Sequence, residues 1–256
     1  MTELILSGCC GRMGHTIARL AEEQEDLRIV AGVDQQEGAS LPFPVYQSLS
    51  NCPYEADVLV DFSHPDALAS LLPCALEKGL PAVLCVTGYS AEQLAKIKEA
   101  SAQIPVFFSA NMSLGINLLA ALAKQAAAVL GEEFDIEIIE KHHNQKLDAP
   151  SGTALLLADQ INETFSGEKS YVYDRHNVRR RREKRELGIH SLRGGTITGE
   201  HEVVFAGHDE VITLSHSARS REVFATGALN AARFLSGQPA GLYDMGDLLK
   251  LREESL

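Results

Sequence analysis

Positive charge is scarce in this chain: 23 Lys and Arg stand against 35 Asp and Glu, a net charge of −12 over 256 residues. That balance argues against nucleic acid or an anionic membrane as the main partner, and it means that any anion must be met by local charge. Cysteine is limited to five residues, an odd number without CxxC spacing, so neither a disulfide framework nor a zinc site is expected. The first residues, Met1-Thr-Glu-Leu-Ile-Leu-Ser, lack the basic start and cleavage site of a secretory signal. No run is read as reaching the roughly 20 apolar residues of a membrane span. Internal repeats and low-complexity linkers are also missing. These absences leave a globular protein of a reducing, cytoplasmic compartment, long enough for one large domain or two small ones.

The first half alternates strands and helices. Glu3-Leu-Ile-Leu-Ser reads as a strand, followed at once by Gly8-Cys-Cys-Gly-Arg-Met-Gly14 and a helix over 15–25. Such a turn lets a backbone approach a pyrophosphate at a helix N-terminus, although Cys10 stands where a second glycine is usual. A second strand, Leu27 to Val33, ends in Asp34, near the spacing at which an acidic group meets the adenosine ribose. Gln35 and Gln36 follow, offering no cation for a 2′-phosphate. This favours NADH, with NADPH as the alternative because Arg12 is close by.

Strands over 57–62, 81–86 and 104–109 alternate with helices over 63–77 and 91–102, and Pro73 is expected to bend or divide the first of these. This rhythm predicts a parallel, doubly wound sheet with ligands at the carboxyl ends of its strands, near Thr87, Gly88, Ala110 and Asn111. His64, in a Ser-His-Pro-Asp turn, reads as a helix-start residue.

After a long Ala/Leu-rich helix over 113–130 the pattern changes. Segments 135–140, 189–193, 199–205 and 210–216 alternate apolar and polar residues, which predicts a mixed or antiparallel sheet with one face covered. Its exposed strands offer a surface for subunit association. A helix beginning near Arg221 returns to the first domain. The expected fold class is thus α/β: a Rossmann-like domain over 1–112 and 222–256, and an α+β substrate and oligomerisation domain with a mixed sheet over 113–221. The basic run Arg179 to Arg185 has no interleaved aromatics and reads as a solvated loop.

The segment 139–154, Ile-Glu-Lys-His-His-Asn-Gln-Lys-Leu-Asp-Ala-Pro-Ser-Gly-Thr-Ala, carries the most chemistry. His142, His143 and Lys146 supply proton donors beside a helix start whose N–H groups and dipole favour an anion. Asp148 reads as a cap for that helix, with orientation of the loop as the alternative. Arg193-Gly-Gly195 reads as a further wall of the pocket.

These motifs resemble one family. Gly8-x-x-Gly-Arg-Met-Gly14, Ala110-Asn-Met-Ser-x-Gly115 with Asn117, Glu140-x-His-His-x-x-Lys-x-Asp-Ala-Pro-Ser-Gly-Thr-Ala154, Arg193-Gly-Gly, Gly199-Glu-His-x-Val-x-Phe and Gly241-Leu-Tyr-Asp-Met occur in the order found in dihydrodipicolinate reductases. The resemblance implies NAD(P)H-dependent reduction of a cyclic dicarboxylate, 4-hydroxy-tetrahydrodipicolinate, to tetrahydrodipicolinate, with loss of water, in the diaminopimelate route to lysine. It implies a homotetramer. It also implies that His142 and Lys146 are catalytic, either of them being the proton donor, that His143 contacts substrate, and that Gly152 and Thr153 bind a carboxylate. Cofactor contacts are implied at Gly8, Cys9, Cys10, Gly11, Arg12, Met13 and Asp34, at Cys85, Val86 and Thr87, and at Ser109, Ala110, Asn111 and Met112; no metal is implied. Cys85-Val-Thr-Gly88 departs from the usual Gly-Thr-Thr-Gly of the family. Cysteines 9, 10 and 85 are accordingly expected to be exposed thiols that make the enzyme sensitive to oxidation.

Overall fold

The computed structural model describes residues 1–36 and 40–253. The chain divides into two compact units, Met1–Ser113 with Glu222–Leu256, and Leu114–Arg221.

The first unit begins with β1 (Thr2–Ser7), α1 (Arg12–Glu22), β2 (Leu27–Val33) and β3 (Val45–Tyr46). It continues through β4 (Val58–Asp61), α2 (Leu68–Lys78), β5 (Ala82–Leu84), α3 (Ala91–Ala100) and β6 (Pro105–Phe108). All strand pairs are parallel. Strands buried on both faces explain why β1, β4 and β5 read as continuous apolar runs rather than alternations. Leu59, Leu84, Val106, Leu71 and Ile97 meet in the core between sheet and helices.

The helix expected from His15 starts instead at Arg12, directly after the glycine turn. Pro73 does not divide α2, which runs unbroken from Leu68 to Lys78. The ring lies on the exposed side while Leu71, Leu72, Cys74 and Ala75 are buried around it. Packing of that face outweighs the single hydrogen bond the proline removes.

The second unit comprises α4 (Leu114–Leu130), β7 (Asp135–His142), α5 (Gly152–Glu163), β8 (Ser170–Val172), β9 (Glu186–Arg193), β10 (Gly199–Ala206) and β11 (Val211–Ala218). Its sheet has the order β11-β10-β7-β9-β8. The β10 pairings are antiparallel and the β7–β9 and β8–β9 pairings parallel, so the sheet is mixed. Ile136, Ile138, Ile189, Val203 and Phe205 pack under α4 and α5.

The stretch Leu114–Glu133, α4 with its terminal turn, is 20 residues long at mean hydropathy 1.5 and so passes a membrane-span test by length and composition. The sequence reading missed this because Ala supplies much of the run. Here Ile116, Leu119, Ala120, Ala123 and Ala127 form one buried face against the protein core.

The basic run is not simply solvated. Arg182 reaches Asp135 at 2.8 Å and Glu137 at 2.9 Å, Arg180 reaches Glu186 at 2.7 Å, and Arg175 also pairs with Glu186. Ion pairs pin this segment to β7 and β9, although every residue from Arg179 to Arg185 except Arg182 is exposed.

The chain then re-enters the first unit through α6 (Glu222–Leu235), β12 (Gly241–Tyr243) and α7 (Met245–Glu253). Strand β12 pairs with β6 and completes a seven-stranded sheet of order β12-β6-β5-β4-β1-β2-β3.

Candidate active site

Strand β7 alternates strictly between partly buried and buried positions. The period that buries Ile136 and Ile138 therefore also buries Glu140 and His142. Glu140 is 0 % exposed, a position a carboxylate tolerates only with partners. The neighbouring strands supply them. In register, His142 lies beside Arg193 of β9 and Glu140 lies beside His201 of β10. Arg193 grips Glu140 with a fork, Nη1 to Oε2 and Nη2 to Oε1, both at 2.7 Å. The Ser151 N–H donates to Oε1 at 3.1 Å, and the His142 Nδ1 lies 2.6 Å from Oε2. Burial works to raise the Glu140 carboxyl, but the hydrogen bonds from Arg193 and His142 outweigh it and hold the group at about 2.

His142 is pushed down from the ordinary histidine value, chiefly by burial; Glu140 opposes this, and the positive charges of Lys146 and Arg193 add to it. At neutral pH the ring is therefore uncharged. His201 stands edge-on to it, ring centroids 5.2 Å apart. Burial, with His142 next in weight, pushes His201 down to about 3. Its Nε2 is 3.1 Å from the Ser151 Oγ, which also accepts the Ala154 N–H at 3.1 Å and so caps α5.

After β7 the chain turns sharply. The Lys146 N–H donates to the His143 carbonyl at 3.2 Å, and the Lys146 ammonium pairs with Asp148 at 2.8 Å. The cap of α5 is Ser151, not Asp148 as the sequence suggested; Asp148 points at the ammonium instead. His143 is half-buried, and its Nδ1 has no hydrogen-bond partner among the described residues. Gly152 opens α5 with open space where a side chain would stand, and Thr153 follows in the first turn. The second unit thus gathers His142, His143, Lys146, Gly152 and Thr153 into one segment. It also adds Arg193, expected as a wall of the pocket, together with Glu140, Ser151 and His201, to which the sequence assigned no individual role. The signal for Glu140 was available: it stands in phase with two buried isoleucines.

The first unit holds the glycine turn. Gly8 has φ +75°, and a Cβ there would come within 2.7 Å of the Phe62 carbonyl. A Cβ on Gly14 would overlap the Cys9 and Gly8 carbonyls, so only glycine lets α1 start this close to the turn. Gly11 caps α1 without a side-chain hydrogen bond. The Asp34 carboxylate accepts the Cys10 N–H at 2.9 Å and the Gln36 N–H at 3.0 Å, tying the turn to the end of β2. A cavity of about 320 Å³ opens beside Gly8, Gly11, Asp34, Gln35, Gln36 and His64. Arg12 is exposed and Met13 half-buried. These features fit a dinucleotide: a glycine cradle at a helix start and an acid at the next strand end.

The other expected cofactor positions behave differently from one another. Thr87 and Ala110 are exposed. The Ser109 Oγ donates to the Asn111 carbonyl at 3.0 Å, and the Asn111 Oδ1 accepts the Ser113 N–H at 2.8 Å. Cys85, Val86 and Met112 are buried, as is Cys9 at 0 % exposure, so their side chains belong to the core. The exposed thiols expected at 9 and 85 are not found. Cys85 directly follows β5 in a stretch where every residue from 82 to 86 is buried, and Cys9 packs against Gly32; burial raises both thiols, Cys9 to about 12. Only Cys10 is partly accessible.

Residues 2–112 match the family model "Dihydrodipicolinate reductase, N-terminus", and residues 115–249 match "Dihydrodipicolinate reductase, C-terminus". The chain belongs to the dihydrodipicolinate reductase family. Among its relatives is the 4-hydroxy-tetrahydrodipicolinate reductase of Caldanaerobacter subterraneus subsp. tengcongensis, 54 % identical over 250 residues, covering 98 % of this chain and 99 % of that protein. That of Clostridium novyi is 53 % identical with the same coverage. A dipicolinate-bound dihydrodipicolinate reductase from Paenisporosarcina sp. TG-14 shares the fold at TM-score 0.81 and 26 % identity, over 95 % of this chain and 97 % of that one. As a family member, the protein uses a nicotinamide dinucleotide.

Proposed function

We propose that this reductase converts 4-hydroxy-tetrahydrodipicolinate to tetrahydrodipicolinate in the diaminopimelate route to lysine. The observation that carries the reading is the end of β7 and the segment after it, where a neutral imidazole, an ammonium and a helix start are held within one short stretch of a reductase-family chain. The bound nicotinamide supplies the hydride. This chain's residues supply the rest. The start of α5 at Gly152 and Thr153 receives a substrate carboxylate through its amides and dipole. Lys146, released from Asp148 by the incoming dicarboxylate, neutralises negative charge and donates the proton that balances the hydride. His142, uncharged, accepts a hydrogen bond at Nε2 and orients the substrate, while His143 adds a polar contact.

NADH is the preferred cofactor in this reading and NADPH the weaker alternative, supported by Asp34 and by glutamines where a 2′-phosphate would need a cation. The assembly is a homotetramer in the cytoplasm. Strand β11 supports association: it forms one edge of the mixed sheet and leaves Val211 and Ile212 exposed. Light scattering of the purified protein tests the tetramer; a monomer at micromolar concentration refutes it. The decisive experiment couples the protein to dihydrodipicolinate synthase and follows NADH and NADPH oxidation separately. Oxidation of both, faster with NADH, is expected. Oxidation of neither removes the assignment, and equal or better use of NADPH removes the cofactor preference.

A further inference from the structure

Two charged groups in the second unit are not used directly by the reduction as set out above: Glu140, which is buried, and Arg193, which is half-buried. A carboxylate with 0 % exposure, held by Arg193, His142, Ser151 and Ser191, is costly to build unless it holds something in place. Three of the groups that hold it, the two Arg193 nitrogens and the Ser151 N–H, are donors only. With a further hydrogen bond from the Ser191 side chain, they fix the orientation of the carboxylate and set Oε2 2.6 Å from the His142 ring. An ionised carboxylate only accepts, so the shared hydrogen resides on Nδ1 and the other ring nitrogen, Nε2, carries the lone pair. Gly199 of β10 permits this: a Cβ there would come within 3.2 Å of Nε2.

Arg193 has a second attachment. Its Nη2 also donates to the Asp148 carbonyl at 2.6 Å, and the Asp148 side chain holds the Lys146 ammonium at 2.8 Å. One guanidinium therefore reaches the imidazole through Glu140 and the ammonium through Asp148. Planar, bidentate geometry suits arginine to this double role, and lysine does not reproduce it.

We propose that Glu140 and Arg193 form a positioning clamp for the reduction: Glu140 fixes His142 as the Nδ1–H tautomer with Nε2 presented to substrate, and Arg193 locks Glu140 while tethering the segment that carries Lys146. The inference rests on the reductase reading, but its first readout does not. The groups facing His142 are Glu140 on its own strand, Arg193 on β9, His201 on β10 and Lys146 in the following turn, and of these Glu140 alone carries negative charge.

The test uses Glu140→Gln, nearly the same shape but neutral and able to present either an oxygen or an N–H to the ring. In ¹⁵N-histidine-labelled protein without substrate, the wild type is expected to show the Nδ1–H tautomer at residue 142. The variant is expected to show a tautomer mixture and a titration displaced to lower pH. With substrate, kcat is expected to fall ~10²-fold with NADH affinity unchanged, because a misoriented imidazole costs turnover rather than cofactor binding. The acid limb of the kcat/KM profile should move to lower pH with the ring; loss of a purely structural contact would lower the plateau and leave the limb in place. Arg193→Lys keeps the charge balance and serves if Glu140→Gln does not fold; it is expected to lower kcat ~10-fold and to mix the tautomers, because the fork is lost. A folded variant of either kind with the wild-type tautomer and wild-type kcat overturns the clamp. Absence of any NAD(P)H oxidation by the wild type would instead overturn the reductase reading.

Discussion

In the turn after β1, what faces the proposed ligand site is main chain, the glycine turn and a start of α1 without a side-chain cap, and neighbouring side chains such as Cys9 are sent into the core. In the turn after β7, the groups offered are side chains, and other side chains hold them: Glu140 holds His142, Asp148 holds Lys146, Ser151 caps α5. The contrast follows from the tasks. A pyrophosphate is bound by geometry, so the requirement is backbone shape, which glycine gives and almost any inward-facing residue leaves undisturbed. Proton transfer needs a group of the right charge at the right atom, so each functional residue needs a partner that sets its protonation state.

The sharpest way to break the second region alone is Lys146→Ala. Loss of the donor is expected to lower kcat ~10³-fold. NADH affinity, read by fluorescence titration, should stay within about twofold, because the proposed dinucleotide cavity is lined by Gly8, Gly11 and Asp34 and by no residue of that turn. Lost cofactor binding would show that the two regions are not separate in this way.

Acid separates them by a different route. His201 is pushed by burial to about 3 from 6.5, so the unfolded chain binds a proton between those values and the folded one does not. Stability then rises with pH across this window, and is lost as pH falls from about 6.5 toward 3. Glu140, depressed to about 2 from 4.5, contributes stability above 4.5 that is lost as pH falls toward 2. The second region is thus expected to lose on the order of 2–3 kcal/mol between pH 6.5 and 4.5 from the imidazole alone, before its buried carboxylate titrates. Replacing His201→Gln should flatten the melting temperature against pH over that window. An unchanged slope would mean that another group carries the acid transition.

How far each region could be read from sequence follows the same division. The glycine turn was legible because backbone requirements leave a spaced residue signature, and Gly8, Gly14 and Asp34 all serve the turn's geometry. The reacting segment was legible through its unusual residue types. Its support was not. Glu140, Arg193 and His201 come from three strands, and only the register of a mixed sheet, which no local pattern specifies, brings them together. The short strands β3, β8 and β12 escaped notice for a related reason: two or three residues are too few to show a period. Side-chain direction at strand ends was equally hidden, which is why Cys85 was expected to be exposed.

A change confined to the first region is Gly14→Ala. Its Cβ would meet the carbonyls of Gly8 and Cys9, backbone atoms that cannot swing aside, so the turn must open. The expected cost is about 2 kcal/mol, seen as ~30-fold weaker NADH binding with the tautomer of His142 unaltered. Asp34→Asn is milder, because one oxygen still accepts an N–H while the other hydrogen bond is lost. About 1 kcal/mol of NADH affinity should disappear, and the NADPH-to-NADH activity ratio should rise. A falling ratio would show that Asp34 serves the turn and not the choice of cofactor.

The smallest effect concerns the thiols, where the sequence and the fold point in opposite directions. Three cysteines beside a cofactor turn suggest sensitivity to oxidants, but reactivity belongs to the accessible thiolate. Cys9 is enclosed and raised to about 12, Cys85 is enclosed and raised as well, and Cys10 alone is partly open to solvent. Iodoacetamide at pH 8 should therefore label Cys10 without labelling Cys9 or Cys85, as read by peptide mass spectrometry. NADH should slow that labelling, since Cys10 stands between Gly8 and Gly11, which line the proposed dinucleotide cavity. Activity after brief peroxide treatment should fall by less than about half, because the backbone groups that bind the dinucleotide survive modification of one outward side chain. Labelling of Cys85 in step with lost activity would show that the end of β5 opens in solution, and the first region would then depend on its side chains as the second one does.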